Sequence, residues 1–388
     1  MKRIGVAVLG AYGWMGRSHC SVYADLTRIF PDLPVEVTLR WLVGNSEQGT
    51  RHVAQQFGAE CRGVDWRAAI EDPQVDLVDI CLPDALHYEV AKASLEAGKH
   101  VYCEKPFTNT LDEAEELVSL AAVKGVVTRV GHNFPVNPVH ALAKDIMASG
   151  EIGEVTLFKA AQHVDSLADP LAPFIWRLDA NRAPTGVVGD TGSHIFSFMD
   201  YLVGTVDEVI AHCPIIHSKR PHLAGARYGD PVQANATNAT RAVTNPDVGM
   251  VICRFANGAV GTVDFSRIAS GRRFLQRYEI YGTKGSITYD YDQIARLNVF
   301  SSSDARGRQG FRAIDVGPEW PDYARFLPLP NFGIGFNEVK SLEVGEVIRS
   351  VANGEPKWPT FADAKRIVAL VDACLASHNS RRWEKVRN

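Results

Sequence analysis

Paired cysteines are what this sequence most plainly lacks. Its seven cysteines (20, 61, 81, 103, 213, 253 and 374) are scattered over 388 residues, with no C-x-x-C and no Cys/His cluster. That excludes a disulfide framework and a structural zinc, and an odd count of thiols fits a reducing cytoplasm. No metal is expected. Cys81 and Cys103 fall in apolar, strand-like runs and read as small buried residues. No segment approaches the ~18 consecutive apolar residues of a membrane span. The opening MKRIGVAVLGA begins like a signal peptide, but its apolar run is short and flows into a glycine turn and a polar helix with Arg17 and His19. A net charge of −4 offers no attraction to nucleic acid or to an anionic membrane. There is no internal repeat. The expectation is a soluble, cytoplasmic protein.

What is present is an ordinary globular composition, 46% hydrophobic and 22% charged, in a chain long enough for two domains. In the first third, short apolar runs alternate with helical patterns. Strands are predicted at Ile4–Leu9, Val35–Val43, Leu77–Leu82, Val101–Cys103 and Val126–Val130. Helices are predicted at Met15–Leu26, Gln48–Phe57, Tyr88–Ala97 and Asp112–Lys124, the last three followed by Gly58, Gly98 and Gly125 as C-terminal caps. Such alternation implies right-handed βαβ units and a doubly wound parallel sheet. After about residue 150 the pattern changes. VTLFKAAQH, VGMVICRFA, AVGTVDFSR, LQRYEIYG and KGSITYDY read as strands, with hairpin turns at Asn257-Gly258 and at 282–285. Lys340–Ala352 and Phe361–His378 read as closing helices, and Arg306–Asn331 as a long loop. The expected fold is α/β: a Rossmann domain over 1–132, then an α+β domain over 133–388 with a large, mainly antiparallel open sheet.

The stretch GAYGWMG at 10–16 stands between the first strand and the first helix. A dinucleotide pyrophosphate needs a close backbone approach and a helix N-terminus with free N–H groups. Two alignments to G-x-G-x-x-G are open. Ala11 takes the first glycine's place, with Gly13 and Gly16 following, or Gly10 is first and one residue is inserted. Alone the motif is weak; opening the first βαβ unit, it gains weight. Gly10, Ala11, Gly13, Trp14 and Met15 are therefore candidate cofactor contacts. The second strand ends in Gly44, Asn45 and Ser46, with no carboxylate until Glu47. Asn45 and Ser46 could bind ribose or phosphate, and Arg51 could reach a 2′-phosphate. NAD and NADP both remain open.

Two constellations could carry chemistry. Glu104-Lys105-Pro106 follows a buried strand at the carboxyl edge of the sheet, where doubly wound folds bind ligands. A lysine there is commonly a solvated charge, but the proline fixes the local backbone and could aim Lys105 into the crevice. Leu82-Pro83-Asp84 and His87 form another loop over the same edge, and His87 reads equally as a plain N-terminal helix residue. In GVVGDTGSHIFSF, Asp190 and His194 are four residues apart at the start of a helical pattern, so a carboxylate could fix the tautomer of an imidazole base. An N-cap aspartate with a satisfied histidine is an equal reading. Two potential ligands do not make a metal site.

These residues resemble the glucose–fructose oxidoreductase/inositol dehydrogenase (Gfo/Idh/MocA) family along nearly the whole chain. The resemblance rests on the glycine turn, AGKHVYCEKP, SGEIGEV, GDTGSH, RFANGAVGTV and YGTKGSI. WRL at 176–178 and GFR at 310–312 look most like the levoglucosan dehydrogenase-like branch, which acts on pyranose sugars. The resemblance implies that Lys105 contacts the reacting oxygen and the nicotinamide ribose, that His194 takes the hydroxyl proton, and that Asp190 holds His194 and binds sugar hydroxyls. It also implies that Glu104, Asn133, Trp176 and Arg177 lie near cofactor or substrate. Three positions depart from the pattern: Asp84 stands where Asn is frequent, Ser197 where Asp is, and Pro135-Val136 where cations are. The last bears most on substrate contacts.

The implied activity is an NAD(P)-dependent dehydrogenase oxidising a secondary hydroxyl of a cyclic polyol or pyranose sugar, of inositol, anhydrosugar or glucoside type. The full cofactor set is Gly10, Ala11, Gly13, Trp14, Met15, Gly44, Asn45, Ser46, Leu82, Pro83, His87, Glu104, Lys105, Asn133, Trp176 and Arg177. Lys105, Asp190 and His194 would be catalytic. His163, Asp165 and Asn133 would join Lys105, Arg177, Asp190 and His194 in binding sugar hydroxyls. The alternatives are an NAD-dependent glycoside-cleaving enzyme of the same fold and a non-catalytic nucleotide- or sugar-sensing protein. The outer face of the second domain's sheet is expected to pair subunits in a homodimer or homotetramer.

Overall fold

The computed structural model describes residues 2–223, 225–226 and 239–387. The chain divides into two compact units. One is Met1–Pro138 with Gly317–Lys365; the other is Val139–Val316 with Arg366–Asn388. Residues 317–365 thus belong with the first unit, although they follow the second unit in sequence and the sequence reading assigns them to the C-terminal domain.

The first unit is built from β1 (Lys2–Leu9), α1 (Trp14–Ile29), β2 (Val35–Val43), α2 (Glu47–Phe57), β3 (Cys61–Gly63), α3 (Trp66–Glu71), β4 (Leu77–Ile80), α4 (His87–Glu96), β5 (His100–Glu104), α5 (Leu111–Lys124) and β6 (Thr128–Gly131). All six strands are parallel in the order β3-β2-β1-β4-β5-β6, which is the doubly wound dinucleotide-binding order. Ile4, Val6, Val8, Leu77, Val78 and Val101 are buried, as a sheet covered on both faces requires. The caps are those predicted: Gly58 and Gly125 end α2 and α5 in left-handed backbone, and Gly98 has the same sign of φ just beyond α4. Thr110 and Glu113 add a capping box to α5. Two elements, β3 and α3, are absent from the sequence-based expectation, because three and six residues are too few to display a period.

The second unit begins with α6 (Pro138–Ala148), whose proline belongs to the first unit, and β7 (Val155–His163). Next come α7 (Ser193–Phe198), β8 (Val206–His212), β9 (Lys219–Pro221), β10 (Thr240–Ala242), β11 (Val248–Phe255), β12 (Val260–Ser266), β13 (Leu275–Gly282), β14 (Gly285–Asp290), β15 (Arg296–Ser301) and β16 (Arg312–Asp315). Two helices of the first unit's return segment, α8 (Pro321–Ala324) and α9 (Phe336–Asn353), precede α10 (Phe361–Ser380) and β17 (Glu384–Lys385). The nine-stranded sheet runs β16-β15-β14-β13-β7-β12-β11-β8-β17. Every neighbouring pair is antiparallel except β7–β12, which is parallel. On its covered face Tyr278 stacks with Phe158 and Tyr289, His140 of α6 and Phe198 of α7 pack tilted against Tyr278, and His140 meets Tyr289 edge-on. Its other face is open, with Met250, Ile252 and Val260 exposed.

The long loop expected over Arg306–Asn331 contains two short elements instead, β16 and α8. β16 pairs with β15 and is held by Arg296–Asp315 and Arg312–Glu151 ion pairs. A polar four-residue edge strand shows no apolar alternation, so sequence periodicity does not reveal it.

Candidate active site

In the first unit the candidate residues converge on the carboxyl edge of the parallel sheet. Gly10 closes β1 at φ +88°, and its N–H, like that of Ala11, donates to the Val43 carbonyl. A Cβ at Gly10 would stand 2.3 Å from the Cys81 carbonyl oxygen, and one at Gly16 would stand 2.3 Å from the Gly10 oxygen. These two positions therefore require glycine. Gly13 precedes α1 in extended backbone and has more room. Of the two alignments, the geometry favours the insertion, with Gly10 as the tight turn and Gly16 as the close helix–strand contact. The first turn of α1, beginning at Trp14 and Met15, offers N–H groups that helix geometry leaves without intrahelical acceptors. Trp14 is exposed and stacks on Phe336 at 5.3 Å.

At the end of β2, Gly44 and Gly49 leave room for the Tyr12 ring. Asn45 is exposed, and Ser46 caps α2 by accepting the Gly49 N–H. Leu82 and Pro83 follow β4. His87 is buried, its two ring nitrogens facing the carbonyl oxygens of Pro106 at 2.7 Å and Leu82 at 2.8 Å. The ring expected to touch cofactor thus clasps the loop after β4 to the loop after β5. Asn133, beyond β6, is buried, and its amide nitrogen has no hydrogen-bond partner among the described residues. A glycine cradle, a helix N-terminus and an orphaned amide donor on one sheet edge fit a nicotinamide dinucleotide.

Glu104 ends β5 buried, and its carboxylate accepts the Lys105 backbone N–H at 3.1 Å. Around it lies a cluster the sequence reading missed. The Lys340 ammonium donates to Glu104 at 2.8 Å, Glu343 at 2.5 Å and Tyr102 at 3.2 Å. His19 places Nε2 on Glu104 at 3.2 Å and Nδ1 on Asp79 at 2.9 Å, and Tyr23 donates to Asp79 at 2.9 Å. Burial alone would lower the His19 pKa, but Asp79 above all, with Glu104, pushes it up to about 9. Burial alone would raise Glu104, but Lys340 and His19 hold it well below the usual carboxylate range. His19, Asp79 and Cys81 also have metal-ligand proximity, though His19 and Asp79 already satisfy each other by hydrogen bonds. The signal for this cluster was Asp79 inside the apolar run LVDI, and Lys340 and Glu343 inside the apolar run VKSLEVGEV. His132, also missed, is buried; burial first and the Lys105 ammonium second push it down to about 3.

In the second unit, residues 188–192 form a wide π turn that leads into α7. Such turns widen the helix, so the four-residue spacing of Asp190 and His194 is not that of a plain α-helix. Asp190 accepts from the Arg177 guanidinium at 3.1 Å, and Arg177 lies over the Trp176 ring at 4.6 Å. His194 is buried, and its carbonyl accepts the Ser197 hydroxyl at 2.7 Å. The Phe265 ring fills the space beside Gly192, where a Cβ would meet it at 2.9 Å. The Arg177 carbonyl is in turn held by Asn245 at 2.9 Å and Arg267 at 3.2 Å, and Arg267 pairs with Asp247. Sequence reading had no signal for this brace, whose members lie far from Arg177 in the chain. His163 ends β7 with its ring on Asp264 of β12, and Asp165 lies in the following turn, accepting the Ala168 N–H. The structure thus joins Arg177 to Asp190 and gives His163 a separate partner.

A Rossmann unit with a dinucleotide cradle, in one chain with a unit that carries a buried histidine and an arginine–aspartate pair, defines a nicotinamide-dependent oxidoreductase. Comparison with known proteins agrees. The family model described as "Oxidoreductase family, NAD-binding Rossmann fold" matches residues 4–132, and "GFO/IDH/MocA C-terminal domain" matches 140–288. Levoglucosan dehydrogenase of Pseudarthrobacter phenanthrenivorans is 34% identical, over 100% of this chain and 99% of that protein. Myo-inositol 2-dehydrogenase of Thermotoga maritima is 26% identical, over 99% and 98%. The solved structure of levoglucosan dehydrogenase in complex with NADH and levoglucosan superposes with a TM-score of 0.92, at 33% identity and full coverage of both chains. The chain belongs to the Gfo/Idh/MocA family of oxidoreductases, and its first unit has the NAD-binding Rossmann fold.

Proposed function

We propose that this protein is an NAD-dependent dehydrogenase that oxidises a secondary hydroxyl of a pyranose sugar or cyclitol, with anhydrosugars of the levoglucosan type the first choice. The observation that supports this most is the end-to-end match to a levoglucosan dehydrogenase, in sequence and in structure. When bound, the nicotinamide supplies the acceptor for the substrate's hydride. Gly10, Gly16 and the first turn of α1 would hold its pyrophosphate, and Asn133 would donate an amide hydrogen bond. Lys105 stabilises the negative charge that grows on the substrate oxygen, an interaction stronger in the transition state than in the ground state. His194 takes the hydroxyl proton, and Asp190, kept in place by Arg177, orients the substrate and the base.

The test is turnover with NAD and NADP against levoglucosan, glucose, glucosides and inositols, followed as nicotinamide reduction. Net reduction with an anhydrosugar or cyclitol is expected; bond cleavage without net reduction identifies the glycoside-cleaving alternative, and ligand binding without turnover a sensor. Lys105→Ala and His194→Ala should each lower kcat by roughly 10²–10⁴-fold while NADH still binds. Near-wild-type turnover in either variant removes the assignment.

The open face of the nine-stranded sheet supports self-association. Ile210, Met250, Ile252 and Thr262 border a groove of about 910 Å³ on that face. A second copy of this chain would cover it, as a face this apolar calls for. No helix of the described residues is long and apolar enough to cross a membrane.

A further inference from the structure

We infer that Lys340 and His19 are positioning residues for Lys105, acting through the Glu104 carboxylate that they hold between them. The inference rests on the oxidoreductase reading of Lys105 and goes beyond it. Lys105 enters the loop after β5 with its backbone N–H on one oxygen of Glu104. The other Glu104 oxygen receives both Lys340 and His19. Each carboxylate oxygen is thus committed in a different direction, and the side chain cannot rotate without breaking a charge-assisted hydrogen bond.

The anchors come from elements that are remote in sequence. His19 belongs to α1, the helix whose first turn forms the cofactor cradle. Lys340 belongs to α9, in the return segment of the first unit. The Glu104 carboxylate therefore ties the cradle helix and α9 to the loop that bears Lys105. Gly131 on β6 makes space for it, since a Cβ there would lie 2.7 Å from the Glu104 carboxyl carbon.

Both His19 nitrogens face carboxylate oxygens, so the ring must donate from both, which only the imidazolium does. Its surroundings are closed on every side. Asp79 and Cys81 face it from β4 and its following loop, Tyr102 and Glu104 from β5, and Lys340 from α9, while Tyr23 of α1 donates to Asp79. His19, Asp79, Tyr102, Lys340 and Glu343 are essentially inaccessible to water. Here three carboxylates face two cations, and loss of either cation strands a buried charge. That asymmetry makes the cluster a lock with one setting across the working pH range.

The experiment compares Lys340→Met with the double variant Lys340→Met/Glu104→Gln. In Lys340→Met the Glu104 carboxylate keeps its place in the chain but loses its ammonium. Expected are NADH affinity within about threefold of wild type, kcat lowered by about 10²-fold, and a new acidic limb in the kcat–pH profile. In the double variant, the amide introduced at position 104 can still accept the Lys105 N–H through its oxygen, so kcat recovers by at least about tenfold and the acidic limb disappears. A purely structural role would restore thermal stability in the double variant and leave the pH profile of Lys340→Met like that of wild type. That outcome overturns the inference. If Lys340→Met does not fold, the wild-type protein decides by ¹⁵N NMR of its histidine rings. A doubly protonated ring persisting through pH 8 whose signals are lost in His19→Gln supports the lock; a His19 ring titrating near its ordinary value overturns it. This measurement needs no substrate, so a wild-type enzyme inactive on every sugar would defeat the proposed function without touching it.

Discussion

Replacing Gly16 by alanine should damage cofactor binding more than it damages the fold. The position is the third residue of α1, in its first turn; at the full helix preference, alanine is intrinsically better than glycine by about 1 kcal/mol. Against that gain, the new Cβ would lie 2.3 Å from the Gly10 oxygen and 2.8 Å from the Ala11 Cα, both backbone atoms that cannot swing aside. Restoring ordinary contact requires a displacement of about 1 Å, and overpacking of this kind costs about 1–3 kcal/mol. The two effects leave a net loss of stability of roughly 0–2 kcal/mol. The displacement, however, falls between the glycine turn and the helix start, the parts that must approach a pyrophosphate. NADH affinity should therefore fall about 10- to 100-fold, or about 1.4–2.8 kcal/mol. The assay is quenching of protein fluorescence by NADH, beside thermal unfolding of the same samples. Gly5→Ala is the control. Its Cβ would come 1.8 Å from the Gln74 oxygen, a worse clash, but near the start of β1, at the amino end of the strand whose other end carries Gly10. It should cost stability and leave NADH affinity of the folded protein intact. A Gly16→Ala protein that binds NADH within threefold of wild type would refute the cradle argument.

Stability should pass through a maximum near pH ~6.5, the ordinary histidine value. His132 and His140, pushed by burial down to about 3, refuse a proton that the unfolded chain accepts near ~6.5. Each then removes about 1.4 kcal/mol of stability per pH unit below that value. His19, at about 9 in the folded protein, works in the other sense: its contribution is whole below ~6.5 and drains away as pH rises through 9. Urea unfolding between pH 5 and 9 measures both limbs, and a flat profile contradicts them. On the open sheet face, Met250→Asp with Ile252→Asp should convert the expected oligomer to monomer by light scattering while kcat/KM per chain changes less than about threefold. An unchanged oligomer would place the interface elsewhere.

The parallel sheet was legible because buried strands between amphipathic helices leave an unmistakable alternation, and Gly58 and Gly125 mark where helices stop. The glycine turn was half legible. Spacing could not choose between Gly10 and Ala11 as its head; the clash that a Cβ at Gly10 would make with Cys81 decides, and that contact joins residues far apart in sequence. The Asp190–His194 pattern located a candidate segment but not its π geometry, where a Cβ at Gly189 or Gly192 would meet the Thr185 or Phe265 side chain. The polar cluster around Glu104 was out of reach for another reason. Its members come from α1, β4, β5 and α9, and Asp79 and Lys340, taken alone, resemble misplaced charges in otherwise apolar segments. Only the fold shows that the members pair with one another.

The clasp made by His87 has a consequence for how such an enzyme can diverge. With both ring nitrogens committed to the carbonyls of Leu82 and Pro106, the loops after β4 and β5 share one hinge pin, and neither can be reshaped without carrying the other along. Under the function proposed above, new substrates would be more easily acquired through the second unit, at positions such as Arg177, while the redox half passes unaltered from one specificity to the next.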